Sequence, residues 1–168
     1  MSQFIVWFTG LPGSGKTTIS EKLFKDFKKK IKIKIIDGDI FRRKINNYNY
    51  NDFHREKLGH LKIKQAIKYY DKGYSVIVSG VAYKRKWRSD LRKFCKQRIY
   101  REVFLKCSIS QCIKRNIKKK KNKDLYKKEK YKYEEYKHYD LRLNTSCLDP
   151  DTMYIKLKKF INKIHEQK

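Results

Sequence analysis

Acidic residues are scarce in this chain. Asp and Glu number 17 against 45 Lys and Arg, so the 168 residues carry a formal charge of +28. Such a charge favours anionic partners, nucleotides and nucleic acid among them, without choosing between them. Many of the lysines stand in Lys/Ile/Asn/Tyr-rich runs, a bias that can come from codon usage as well as from function. Cysteine is sparse too. Cys95, Cys107, Cys112 and Cys147 form no C-x-x-C pair and no His/Cys cluster. This spacing argues against a zinc site and points to thiols kept in a reducing cytoplasm. No apolar run approaches the ~18 residues of a membrane span, so no membrane partner is expected. The first strand-like segment begins almost at Met1, which leaves no room for a targeting peptide. There is no interdomain linker and no internal repeat, so one domain over residues 1–168 is the expectation. Apolar residues at 39% and aromatics at 14% suffice for a packed core and exclude wholesale disorder.

The patterning alternates strand and helix. Residues 3–8 (QFIVWF), 31–36 (IKIKII), 74–79 (YSVIVS), 102–107 (EVFLKC) and 140–145 (DLRLNT) read as strands. Between them, 17–30, 53–70 and 84–97 read as helices. Ser108 is placed to cap a helix carrying Cys112 and Arg115, and Asp149-Pro150 opens a last helix with proline at its first position. Such alternation predicts an α/β fold: a mostly parallel five-stranded sheet with helices on both faces. One stretch, residues 117–139, is dense in Lys, Tyr and Glu with no clean apolar stripe; it reads as a basic lid or as a solvated helix.

Gly10-Leu11-Pro12-Gly13-Ser14-Gly15-Lys16-Thr17 fits G-x-x-x-x-G-K-[ST] in full, after a strand and before a helix. The glycines let backbone N–H groups wrap a phosphate, and the helix N-terminus adds positive potential. Lys16 would reach the β- and γ-phosphates, and the Thr17 hydroxyl would hold Mg²⁺. The motif predicts nucleoside triphosphate binding and leaves the reaction open.

Asp37 and Asp39 follow the second strand. In an open α/β sheet, ligands bind beyond the C-terminal strand ends. Two carboxylates there can share the work of phosphoryl transfer, Asp37 on the metal side and Asp39 accepting the proton of an attacking hydroxyl. The competing reading is a surface turn in which Asp caps the backbone. The order of motifs argues for a small-molecule kinase. A GTPase would need Asn-Lys-x-Asp, and Asn122-Lys123-Asp124 lacks the spacer.

Residues 6–18 (VWFTGLPGSGKTT), Asp37-Gly38-Asp39 with Arg42, then Arg55, Arg88, Glu102-Val103, Cys112 and Arg115 together resemble the adenylylsulfate kinase family. The likeness covers about residues 3–116 well. It implies a three-layer P-loop kinase fold, with ATP and Mg²⁺ as cofactors and Gly10 through Thr18 as the ATP cradle. It further implies transfer of the γ-phosphate to the 3′-hydroxyl of a nucleotide ribose. By the same resemblance Arg42 and Arg55 grip the acceptor's anionic 5′ group, for which a planar guanidinium fork is suited. Arg115 would approach the transferring phosphate as the lid closes, and a homodimer is common in the family.

The departures lie on the acceptor side. Leu58 stands where the family has Asn, Val81-Ala82-Tyr83 replaces Ile-Ser-Pro, and the Phe-Thr-Gly segment near the acceptor base is absent. Tyr131, Tyr133, Tyr136 and Tyr139 occupy that general region instead. A rebuilt pocket selects a different base or tail. The pattern is similar to the cytidine diphosphoramidate kinases of capsule pathways, which favours cytidine diphosphoramidate as acceptor over adenylylsulfate. A reading from another class is a nucleic-acid-binding ATPase or polynucleotide 5′-hydroxyl kinase, with tyrosines between lysines stacking bases. Against it, the basic residues are spread over the whole chain.

Overall fold

The protein is described by a computed structural model in which residues 2–46, 49, 51–118, 133–135 and 138–166 are described. Five strands form its centre: β1 (Ile5–Thr9), β2 (Ile33–Ile36), β3 (Ser75–Ser79), β4 (Tyr100–Lys106) and β5 (Leu141–Asn144). Their order across the sheet is β2-β3-β1-β4-β5, and every neighbouring pair is parallel. Between and after them run α1 (Lys16–Phe27), α2 (Gly38–Lys44), α3 (Asp52–Asp71), α4 (Arg85–Phe94), α5 (Ile109–Lys118) and α6 (Pro150–Glu166).

Side-chain alternation along β1 divides the core into two. Phe4, Val6 and Phe8 point to one face, where they pack with Ile19, Leu23 and Phe27 of α1 and Leu157, Ile161 and Ile164 of α6. Ile5 and Trp7 point to the other, against Ile63 and Ala66 of α3 and Leu91 of α4. β1 is buried at every position, as a strand covered by helices on both faces must be. Each fully buried side chain of this kind contributes about 1.5–3 kcal/mol.

The predicted architecture is the observed one, and the boundaries move by a few residues. Four of the five strands start one or two residues later than read from sequence; β4 starts two earlier, at Tyr100, because Ile5 pairs with it. The last helix opens on Pro150, and Asp149 accepts from the amides of Asp151 and Thr152. Sequence reading missed α2 altogether. The Asp37-Gly38-Asp39 stretch, read as a turn, is the start of this short helix, with Asp37 as its N-cap.

Of the segment read as a lid, residues 119–132, 136 and 137 lie outside the described residues, and Tyr131 and Tyr136 with them. Tyr133 and Tyr139 are described, and each stacks on Phe104 of β4, with centroids 4.8 and 4.6 Å away. The Tyr133 hydroxyl lies 2.7 Å from Thr9 Oγ1. These two tyrosines cover the sheet, a packing role in place of the base stacking considered from sequence. Beside them Arg88 and Glu102, both fully buried, approach to 3.3 Å. The Arg88 guanidinium also donates to the carbonyls of Ala82 and Glu134.

Candidate active site

The sheet order places the topological switch at β1, whose C-terminal end runs into the glycine loop. Gly15 has φ of +96° and precedes the first turn of α1. Gly13 has φ of +82°, and a Cβ there would stand 2.7 Å from the Cys112 carbonyl oxygen. Both positions therefore exclude other L-residues. Lys16 Nζ folds over the loop and donates to the carbonyls of Gly10 (2.9 Å) and Leu11 (2.7 Å). Its ammonium thus lies against the loop whose backbone would cradle phosphate.

Asp37 joins three elements. Its Oδ1 accepts from the amides of Asp39 (2.9 Å) and Ile40 (3.1 Å), capping α2. Its Oδ2 accepts from Thr17 Oγ1 and Ser79 Oγ, each at 2.9 Å. The capping reading and the functional reading are thus both true, one for each oxygen. Burial pushes the Asp37 carboxyl up, but hydrogen bonds from Ile40, Ser79, Thr17 and Asp39 outweigh it and hold the group below the usual carboxylate range. Thr17, in the first turn of α1, and Asp37, just after β2, bring an alcohol and an ionised carboxylate within 2.9 Å, a donor set that suits Mg²⁺ beside a triphosphate.

A cavity of about 760 Å³ opens between these elements. Pro12, Gly13, Gly15, Lys16, Thr17 and Thr18 line its phosphate-loop side. Asp37, bonded to Thr17, lines the cavity as well, and so do Asp39 and Arg42 of α2 and Arg55 of α3. Arg42 and Arg55 are buried, with 7% exposure each, which is unusual for arginine. Arg42 donates to the Asn49 carbonyl (2.8 Å), and Arg55 lies 5.8 Å from the centre of the Tyr83 ring. Asp39, in the first turn of α2, is exposed to the cavity.

Arg115 also reaches the cavity, from α5, but at the wall formed with Asn116, Thr145, Leu148 and Pro150. Two hydrogen bonds to Thr145, 2.7 Å to its carbonyl and 3.3 Å to its hydroxyl, hold the guanidinium there. Three residues that sequence reasoning did not single out for the site belong to it. Ser79 and Lys62 were passed over, and Trp7, read as part of the first strand, is 1% exposed yet lines the cavity. The signal for Lys62 was its helical spacing, one turn beyond Leu58 and two beyond Arg55. Ser79 was recoverable only from the β2–β3 pairing, which sets it beside Asp37.

Fold and site together define a P-loop kinase: a parallel sheet in the order 2-3-1-4-5, a phosphate loop at its switch point, and a carboxylate bonded to the loop threonine. A model of the adenylylsulphate kinase family matches residues 2–140, and the chain belongs to that family. It is 33% identical over 150 residues to the cytidine diphosphoramidate kinase of Campylobacter jejuni, covering 86% of this chain and 87% of that one. To the probable adenylyl-sulfate kinase of Archaeoglobus fulgidus it is 31% identical over 117 residues, covering 68% and 74%. The fold matches the solved Mycobacterium tuberculosis APS kinase CysC, in complex with AMPPNP and APS, with a TM-score of 0.82 at 24% identity over 96% of this chain and 98% of that one. No helix among the described residues is long and apolar enough to cross a membrane, and no group of three or more His, Cys, Asp or Glu among them could hold a metal ion. A Mg²⁺ ion held by Thr17 and Asp37 would need phosphate and water to complete its shell, a ligand set that magnesium accepts.

Proposed function

We propose that the chain, acting as one domain, transfers the γ-phosphate of ATP to the ribose 3′-hydroxyl of a small nucleotide with a modified 5′-phosphate tail. The observation that carries this reading is the shared cavity: the phosphate loop with Thr17 and Asp37 on one side, Asp39, Arg42 and Arg55 on the other. The favoured acceptor is cytidine diphosphoramidate, with adenylylsulfate as the alternative. Support for the former is the C. jejuni match, which extends over 86% of the chain against 68% for the A. fulgidus enzyme. The apolar Leu58, 5% exposed on the acceptor wall, also supports it. An adenylylsulfate pocket with a polar residue at that position would hydrogen-bond the tail there.

In this reading Gly10 through Thr18 hold ATP, with backbone N–H groups on the phosphates. Lys16 exchanges the Gly10 and Leu11 carbonyls for the β- and γ-phosphate oxygens. Thr17 Oγ1 and Asp37 would hold Mg²⁺, which when bound would compensate negative charge on the triphosphate. Asp39 takes the proton of the 3′-hydroxyl as the γ-phosphoryl group arrives in line. Arg42 and Arg55 fix the 5′ tail, which sets the sugar's position relative to Asp39. For Arg115 to reach the moving phosphoryl group its bonds to Thr145 must be given up. The enzyme is proposed to work in the cytoplasm, on a soluble substrate.

The test is ADP release, coupled to an optical readout, from ATP with cytidine diphosphoramidate, adenylylsulfate, unmodified cytidine and adenosine nucleotides, and single-stranded oligonucleotide in parallel. Highest kcat/KM for cytidine diphosphoramidate is expected. Preference for adenylylsulfate overturns the acceptor, and turnover stimulated only by oligonucleotide overturns the small-molecule reading.

A further inference from the structure

Lys62 is the least expected group in the cavity. It lies on α3, on the face that also carries Arg55 and Leu58 at helical spacing. Its exposure is 3%, a rarity for lysine outside a paired or functional setting. Nζ makes one hydrogen bond among the described residues, 3.3 Å to the Ser79 carbonyl, and stands 4.6 Å over the Trp7 ring. An ammonium has three N–H donors, so two are unspent in a buried position. No carboxylate among the described residues forms an ion pair with it. Burial pushes its pKa down to about 7; Asp37 and Asp39 pull it up, while Arg42 and Lys16 push it further down. Cations and carboxylates therefore converge on this corner of the cavity, and neither Asp37 nor Asp39 forms an ion pair with Lys62 among the described residues.

Two further observations concern the same corner. Trp7 Nε1 is buried and finds no acceptor, so the floor beside Lys62 carries donors in excess of acceptors. The backbone is also cut away to admit the ammonium. A Cβ on Gly80 would stand 2.0 Å from Nζ, and one on Gly38 would stand 3.4 Å from it. Leu58, one turn earlier on α3, has no polar side-chain atom, so beyond Arg55 the next donor along this face is Lys62.

We propose that Lys62 is a specificity-determining residue of the acceptor site, bonding the terminal oxygens of the acceptor's 5′ tail beyond the reach of Arg55. The group it takes is a tetrahedral, oxygen-rich one: phosphoryl, phosphoramidate or sulfate. It rests on the nucleotide-kinase reading above. A ligand of that class meets both unspent donors and lies between Lys62 and Arg42, so it removes their mutual repulsion. Charge-assisted hydrogen bonds of this kind change affinity by about tenfold or more each.

The experiment is calorimetric binding of CDP, CMP and cytidine to the full chain with the donor site filled by Mg·ADP. The wild type is expected to bind CDP tighter than CMP and both tighter than cytidine. Lys62→Met fills the same volume without the charge, and should lower CDP affinity at least tenfold while cytidine affinity changes less than twofold. Lys62→Gln, which keeps a donor, should fall between and serves as the test if the Met variant does not fold. An equal loss for CDP and cytidine assigns Lys62 to packing and overturns the proposal with the kinase reading intact. A wild type that binds none of the three overturns both.

Discussion

Glu102→Gln removes one charge from the most deeply buried ion pair among the described residues, and its cost follows from geometry. Arg88 and Glu102 are each fully buried, 3.3 Å apart, in the layer between β4 and α4. Arg92, the next cation, is 3.9 Å from the same carboxylate but more than a third exposed, so it compensates little. Neutralising Glu102 leaves a guanidinium in a water-free site without its counter-charge. Breaking such a pair from one side costs about 3–5 kcal/mol. Each kcal/mol lowers the melting temperature of a chain this long by about 2–4 °C, so a fall of roughly 6–20 °C is expected. Urea unfolding followed by circular dichroism measures the loss independently. The double variant Arg88→Met/Glu102→Leu should cost less than the two single changes summed, by about 2 kcal/mol, because the desolvation penalty of each charge disappears with it. A loss below about 1 kcal/mol for Glu102→Gln, or strict additivity in the cycle, would refute the premise that the pair is buried and coupled.

Lys16→Ala and Asp39→Asn should each lower kcat by about 10²-fold or more with the fold intact by circular dichroism; near-normal turnover of the Asp39→Asn enzyme removes the base assignment. Gly80→Ala should reproduce the Lys62→Met phenotype without touching Lys62, because the new methyl group takes the ammonium's place; unchanged CDP binding in that variant contradicts it. Iodoacetamide at pH 8 should label Cys147 alone in the native protein, read by mass spectrometry. Cys147 is exposed, whereas burial pushes the Cys95 and Cys112 thiols up to about 12 and keeps them protonated. Rapid labelling of Cys95 would show that the α3–α4 face is open.

The sheet and its layers were legible because β1, β2 and β3 are compact runs rich in β-branched residues and the long helices α1 and α6 keep an apolar stripe. The phosphate loop was legible because its chemistry is local: eight consecutive residues hold nearly all its information. α2 was not, since seven residues are too few to show periodicity and its signal was one Asp read as a turn. The carboxylate function of Asp37 came from position, but its link to Ser79 depends on β3 lying beside β2, a pairing between residues 42 positions apart. Lys62 was hidden by composition. Among so many lysines, a single buried one has no sequence signature beyond its place on the helix. Tyr133 and Tyr139 misled for the opposite reason, as aromatics beside lysines suggest stacking on bases, whereas Phe104 and Arg88 supply their partners within the fold.

The two walls of the cavity are drawn from different stretches of chain. Lining residues from 12–18, 115–116 and 145–153 form one, and lining residues from 38–62 and 80–91 the other; Asp37, bonded to Thr17 on one flank and Ser79 on the other, stitches them together. Substitutions on the second wall can therefore accumulate without disturbing the first. Evolution can retool what such an enzyme phosphorylates while its energy source stays constant, and one helix face, from Arg55 through Leu58 to Lys62, is where that retooling would be written.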